Sequence, residues 1–123
     1  MVRQKFDFEK LIVYEKALQF HQQCVSIFKR KYTSKPLVDQ ANRSGMSIVL
    51  NIAESSGKFA PKDRRNFLLI ARGSLYETVA ALDILTIEHL SLKDETENIK
   101  ETASEVAKML TTMIKNLEAI SSS

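Results

Sequence analysis

Three glycines and two prolines in 123 residues leave too few turn positions for a many-stranded β architecture, and the length suits a single domain, residues 1–123, burying roughly two-thirds of its unfolded surface. No apolar run approaches the ~20 residues needed to cross a bilayer, and no signal-peptide apolar region follows the N-terminal charges, so a cytoplasmic chain with no membrane partner is expected. The net charge of +3, from 18 basic and 15 acidic residues, is too mild to name a nucleic-acid partner by itself.

The distribution of charge says more than its sum. Fourteen of the basic residues, but only Asp7, Glu9, Glu15, Asp39, Glu54 and Asp63 among the acids, fall in the first 72 positions. The remainder is acidic. Such a split suits complementary packing within or between subunits, or one basic face.

After a polar lead, Leu11, Tyr14, Leu18, His21, Val25 and Phe28 alternate spacings of three and four, which predicts a bundle helix over 8–31. Lys29, Arg30 and Lys31 close it, where cations oppose the negative end of the helix dipole; RNA contact is the other reading of the same residues. Pro36 suits a first helical turn, and a second helix is expected over 36–56. Its seam is Val38, Ala41, Gly45, Ile48, Ile52 and Ser55, while Met46, Val49, Leu50 and Ala53 lie beside or off it. Those extra apolar residues call for a second surface, and another subunit is the favoured one over a wide intramolecular groove.

Gly57 and Pro61 punctuate the next junction, with Ala60 as a weak N-cap and Asp63 favourably placed in the following first turn. A third helix is expected over 61–89, with Leu68, Ala71, Leu75, Thr78, Leu82 and Leu85 on its seam. Gly73 and Ser74 lower its propensity and are read as letting a neighbouring helix come close. Ser91-Leu92-Lys93-Asp94 resembles a capping box and opens a fourth helix over 92–120. Its seam is Ile99, Ala103, Val106, Leu110, Met113, Leu117 and Ile120, and the final three serines are expected to fray. Four such helices with short connections predict an all-α, antiparallel up-down-up-down four-helix bundle.

The chemistry expected of this chain is non-catalytic. Bundle di-iron sites use Glu-x-x-His pairs, and the sequence has none. His21 and Cys24 supply at most two corners of a zinc site, so no metal or cofactor is expected, and Cys24 reads as a small buried hydrophobe. No nucleophile elbow, phosphate loop or HExxH is present. Asn51 and Glu54 are costly in so apolar a helix, and a buried or interfacial network with an arginine, Arg43, Arg65 or Arg72, is the expected remedy. Lys58, Lys62, Arg64, Arg65 and Arg72 gather around the start of the third helix as a candidate phosphate-binding ridge, with a solvated charged face as the plainer reading. Only Phe59 and Phe67 stand near it, so stacking on single-stranded bases is not expected.

Several motifs resemble those of the bundle proteins encoded by intervening sequences within bacterial 23S ribosomal RNA genes. They are Phe8-Glu9-Lys10-Leu11, Tyr14-x-Lys16-Ala17, Gln40-x-x-Arg43, Ser47-Ile48-x-x-Asn51-Ile52-Ala53-Glu54, and Lys62-Asp63 with Phe67-Leu68-x-Ile70-Ala71-x-Gly73-Ser74-Leu75-x-Glu77. The resemblance implies a left-handed four-helix bundle assembling into a homo-oligomeric ring, typically a pentamer. It also implies a link to RNA, since related bundle proteins serve as accessory subunits of diversity-generating reverse transcriptases and bind nucleic acid. Three positions depart from the family pattern: Asn42 replaces a basic residue, Val49 a proline and Ser55 a glycine. The rival expectation is an assembly or adaptor subunit whose partner is another protein.

Overall fold

The structure, a computed structural model, describes residues 5–30 and 33–122, with side chains through Ile120. The expectations for Lys31, for the end of the first helix at 31 and for Ser123 lie outside them, whereas Ser121 and Ser122, expected to fray, still belong to the last helix. Four helices carry the fold, α1 (Ile12–Phe28), α2 (Lys35–Ser56), α3 (Pro61–Glu88) and α4 (Lys93–Ser122), and no strand occurs among the described residues. Each helix packs on two others, α1 on α2 and α4, and α3 on α2 and α4. Together they form a four-helix bundle around one apolar core.

The predicted first helix is two elements. Asp7–Lys10 forms a 3-10 turn, held because the Glu9 carboxylate accepts the backbone N–H groups of Phe6 at 2.8 Å and Lys5 at 3.1 Å. Leu11 is extended (φ −75°, ψ 130°) and breaks the helical path before α1 begins. The buried stripe of α1 also differs from the predicted one: Val13, Ala17, Phe20, Cys24 and Ile27, with Phe28, fill the core. Of the predicted seam, Phe28 is buried, Leu11, Tyr14, His21 and Val25 are partly covered, and Leu18 is 42% exposed. Both stripes obey three/four spacing, and the one carrying Phe20 buries more apolar surface.

In α2, Ala41, Gly45, Ile48, Ile52 and Ser55 are buried as predicted, joined by Leu37, Ser44 and Val49. Val49 is therefore absorbed inside the chain, while Met46 and Leu50 remain on its surface. All six predicted seam residues of α3 are buried. In α4, Ile99, Ala103, Val106 and Leu110 are buried, but the stripe continues through Ile114 rather than Met113, and Ile120 is exposed. A 3-10 turn at Leu90–Leu92 precedes α4, so Ser91 lies within that turn rather than capping a helix that begins at 92.

Small residues set how closely the helices approach. A Cβ on Gly45 would sit 2.5 Å from His21 Nδ1, so α1 and α2 meet where only glycine leaves room. Gly73, which was expected to admit a neighbour, has no heavy atom of the described residues, its own helical backbone aside, within 4 Å of where its Cβ would be. Hydroxyl groups join α2 to α3, with Ser44 to Thr78 at 2.6 Å and Ser47 to Ser74 at 2.7 Å. Between α3 and α4, Thr86 meets Thr96 at 2.7 Å. Partners that rise in number along one helix fall along its neighbour, as in Ser44–Thr78 and Ser55–Arg64, or Asp83–Lys100 and Arg65–Glu118.

Candidate nucleic-acid interface

The turn from α2 into α3 places the first basic residues. Helix α2 stops at Ser56, and Gly57 stays right-handed (φ −84°), so the helix ends without a left-handed glycine. Pro61 opens α3 and Ala60 caps it without a side-chain acceptor, as its lack of a polar side chain dictates. Two polar ties compensate: Ser55 Oγ donates to the Arg64 carbonyl at 2.9 Å, and Arg64 Nε donates to the Lys58 carbonyl at 2.6 Å. Lys58 lies 3.5 Å from Glu54 and 5.2 Å from the centre of the Phe67 ring. Lys62 and Arg64 are exposed.

Arg65 and Arg72, seven positions apart, lie on the flank of α3 that faces α4. Arg65 Nη1 is 3.8 Å from Glu118, and its Nε is buried without a hydrogen-bond partner. Arg72 Nε donates to the Tyr76 hydroxyl at 3.1 Å, and the guanidinium carbon stands 5.5 Å from the Tyr76 ring centre. The five predicted residues therefore divide between a corner at the α2–α3 turn, holding Lys58, Lys62 and Arg64, and a ridge along α3, holding Arg65 and Arg72. Lys62, Arg64 and Arg72 form no ion pair with a carboxylate among the described residues. Tyr76 belongs to this surface and was missed in the sequence, although its spacing of four from Arg72 marks the pair.

The expected polar network does not form within the chain. Asn51 donates instead to its own helix, to the Ser47 carbonyl at 2.8 Å and the Ser47 hydroxyl at 3.1 Å, extending the Ser47–Ser74 contact. Glu54 is half-exposed and pairs with Lys58, one turn on. Arg43 is on the outer face of α2. The correction has a simple cause: Glu54 points to solvent, where no arginine is needed to stabilise it.

No group of three His, Cys, Asp or Glu side chains converges as a metal site among the described residues. Cys24 is buried, and desolvation pushes its thiol up to about 12, so it remains protonated. Burial lowers the His21 pKa, and its Nδ1 has no hydrogen-bond partner. No helix among the described residues is long and apolar enough to cross a membrane. The outer surface of α3 carries large apolar side chains, with Ile70 51%, Ile84 47% and Ile87 84% exposed.

Known proteins place this bundle in context. The model of the 23S rRNA-intervening sequence protein family matches residues 9–112. No curated protein matches. A crystal structure from Bacteroides thetaiotaomicron, described as a protein of unknown function from the S23 ribosomal protein family, is similar at a TM-score of 0.75 and 28% identity, over 85% of this chain and 99% of that one. With a family match spanning parts of all four helices, the chain belongs to the 23S rRNA-intervening sequence protein family.

Proposed function

We propose that this chain is a non-catalytic, cytoplasmic bundle protein that assembles with copies of itself and binds structured RNA through the basic surface of α3. The observation that carries the reading is the set of cations at Lys62, Arg64 and Arg72, which have no carboxylate partner among the described residues and so keep their charge for an anion. Phosphate contacts require little more than such a ridge. The family description, with its tie to 23S rRNA, supports the same partner. The bundle is read as antiparallel, up-down-up-down and left-handed, assembled as a ring, with a pentamer the expected count. Met46 and Leu50 of α2 with Ile70 of α3 supply the subunit contact, because they are half-exposed or more and apolar.

Sedimentation with and without a structured RNA fragment, at low and moderate salt, tests this. A defined oligomer that shifts with RNA at low salt is the expected result, and affinity should fall steeply between about 50 and about 200 mM salt. Replacing Lys62, Arg64 and Arg72 together by alanine should reduce the salt slope by about 2–3. An oligomer indifferent to RNA at both salts overturns the nucleic-acid reading. The second reading, a protein-binding adaptor, draws on the exposed Ile84 and Ile87.

A further inference from the structure

Tyr76 stands between two hollows of the α3–α4 groove. The first, about 390 Å³, is lined by Val79, Ala80, Ala103, Ser104 and Ala107 and by the Asp83–Lys100 ion pair at 2.9 Å. The second, about 370 Å³, is lined by Ala107, Lys108, Thr111 and Thr112. The pairs Thr86–Thr96, Asp83–Lys100 and Arg65–Glu118 fix the register of the two helices and put Arg72 level with Thr111, beside the second hollow. Arg72 stands over the Tyr76 ring, and Tyr76, 54% exposed, lines both hollows.

We infer that this first hollow takes one unpaired nucleobase from a loop of the bound RNA, stacked on Tyr76, with the flanking phosphates on Arg72 and Lys108. Three observations converge on that occupant. Alanines and a serine on the hollow's floor let a flat ring lie close without displacing side chains. A tyrosine backed by a guanidinium makes an arginine–aromatic–base stack, and stacking suits any base because every base has a π-face. The cations beside it, Arg72 and Lys108, have no carboxylate partner among the described residues, whereas Asp83, the acid of the hollow, is held by Lys100. The inference rests on the RNA reading and adds to it a preference for unpaired over fully duplex RNA, as expected where recognition falls on splayed loop bases.

The test uses the full chain, a hairpin RNA carrying 2-aminopurine in its loop, and the same stem closed as a duplex. Wild-type protein should bind the hairpin more tightly and quench the 2-aminopurine. Tyr76→Ala should weaken hairpin binding about 5- to 150-fold and abolish quenching, with duplex affinity and salt slope unchanged. Tyr76→Phe should retain both affinity and quenching. If wild-type protein binds the hairpin but Tyr76→Ala binds and quenches equally, the stacking site is wrong and the RNA reading stands. Wild-type protein that binds neither RNA overturns both. A Tyr76→Ala variant with altered sedimentation and unchanged RNA affinity makes the groove a subunit contact and also overturns the stacking site.

Discussion

Gly45→Ala and Gly73→Ala are the same chemical change in two helices of one chain, and the packing around them demands opposite outcomes. Alanine is favoured over glycine inside a helix by about 1 kcal/mol at either position. At Gly73 no described residue packs within 4 Å of the new Cβ, so that gain should be realised as about 0.4–1 kcal/mol of added stability. At Gly45 the new Cβ would lie 2.5 Å from His21 Nδ1 and 3.2 Å from His21 Cε1, roughly 1 Å inside ordinary contact. The imidazole must shift to make room, and its Nδ1 is buried where α1 meets α2. Overpacking of this kind costs about 1–3 kcal/mol.

The helix-propensity gain is common to both variants and cancels in their difference. Gly45→Ala should therefore be less stable than Gly73→Ala by about 1–3 kcal/mol, or roughly 4–12 °C in Tm at about 4 °C per kcal/mol for a chain of this size. Urea and thermal unfolding followed by circular dichroism, at one fixed protein concentration, measure it. Repeating Gly45→Ala in a His21→Ala background should remove the penalty, since the clashing ring is gone. A gap under about 0.5 kcal/mol, within the ordinary spread for substitutions that meet no packing constraint, would refute the claim that Gly45 sets the α1–α2 distance.

The α1 stripe is tested by Phe20→Ala against Leu18→Ala: the fully buried Phe20 should cost about 3–5 kcal/mol and the half-exposed Leu18 under about 1 kcal/mol, and comparable losses would restore the other stripe. His21 makes stability pH-dependent. Its folded pKa lies below the ordinary 6.5, so the unfolded chain takes up a proton first; stability present above 6.5 should fall as the pH drops below it and level off below the folded value. His21→Gln should remove that component, and an unchanged stability–pH curve would assign it elsewhere. The Cys24 thiol, raised to about 12 and buried, should react with iodoacetamide only as the chain unfolds, so labelling should track the urea transition; rapid labelling of native protein would contradict its burial.

How legible each helix was depends on how many stripes its sequence permits. On α3 the apolar residues at 68, 71, 75, 82 and 85 with Thr78 define a dominant seam, and all six are buried. Helix α1 carries two interleaved stripes of equal period, and choosing between them needs the neighbouring helices that receive Phe20. Local periodicity holds no such information. The candidate surface divides the same way. Arg65 and Arg72 share a face by spacing alone, and the Arg72–Tyr76 pair was readable from its interval of four. Arg64 was named with them, but its tie was not readable, because its partner is the Lys58 carbonyl, a backbone group positioned by the path of a turn. The buried form of the Glu54–arginine network is absent for a related reason: its premise was burial of Glu54 within the chain, and the carboxylate lies on the wet side of α2.

Gly73 sharpens what remains to be explained about α3. No described residue packs against the space beside it, so intramolecular packing among the described residues gives no reason for a residue that costs about 1 kcal/mol against alanine. Two accounts remain. The position is unoptimised, as positions in natural proteins often are, or the space is filled by something outside the chain. Leu69, Tyr76 and Ala80, within two turns of Gly73 on the same helix, are exposed and apolar, as a contact surface requires. The sign and site of the Gly73→Ala effect separate the accounts. A gain in stability with unchanged sedimentation and RNA affinity leaves the glycine without a task. A loss of assembly places another subunit on that face, whereas a loss of hairpin affinity alone places the RNA there, next to Tyr76.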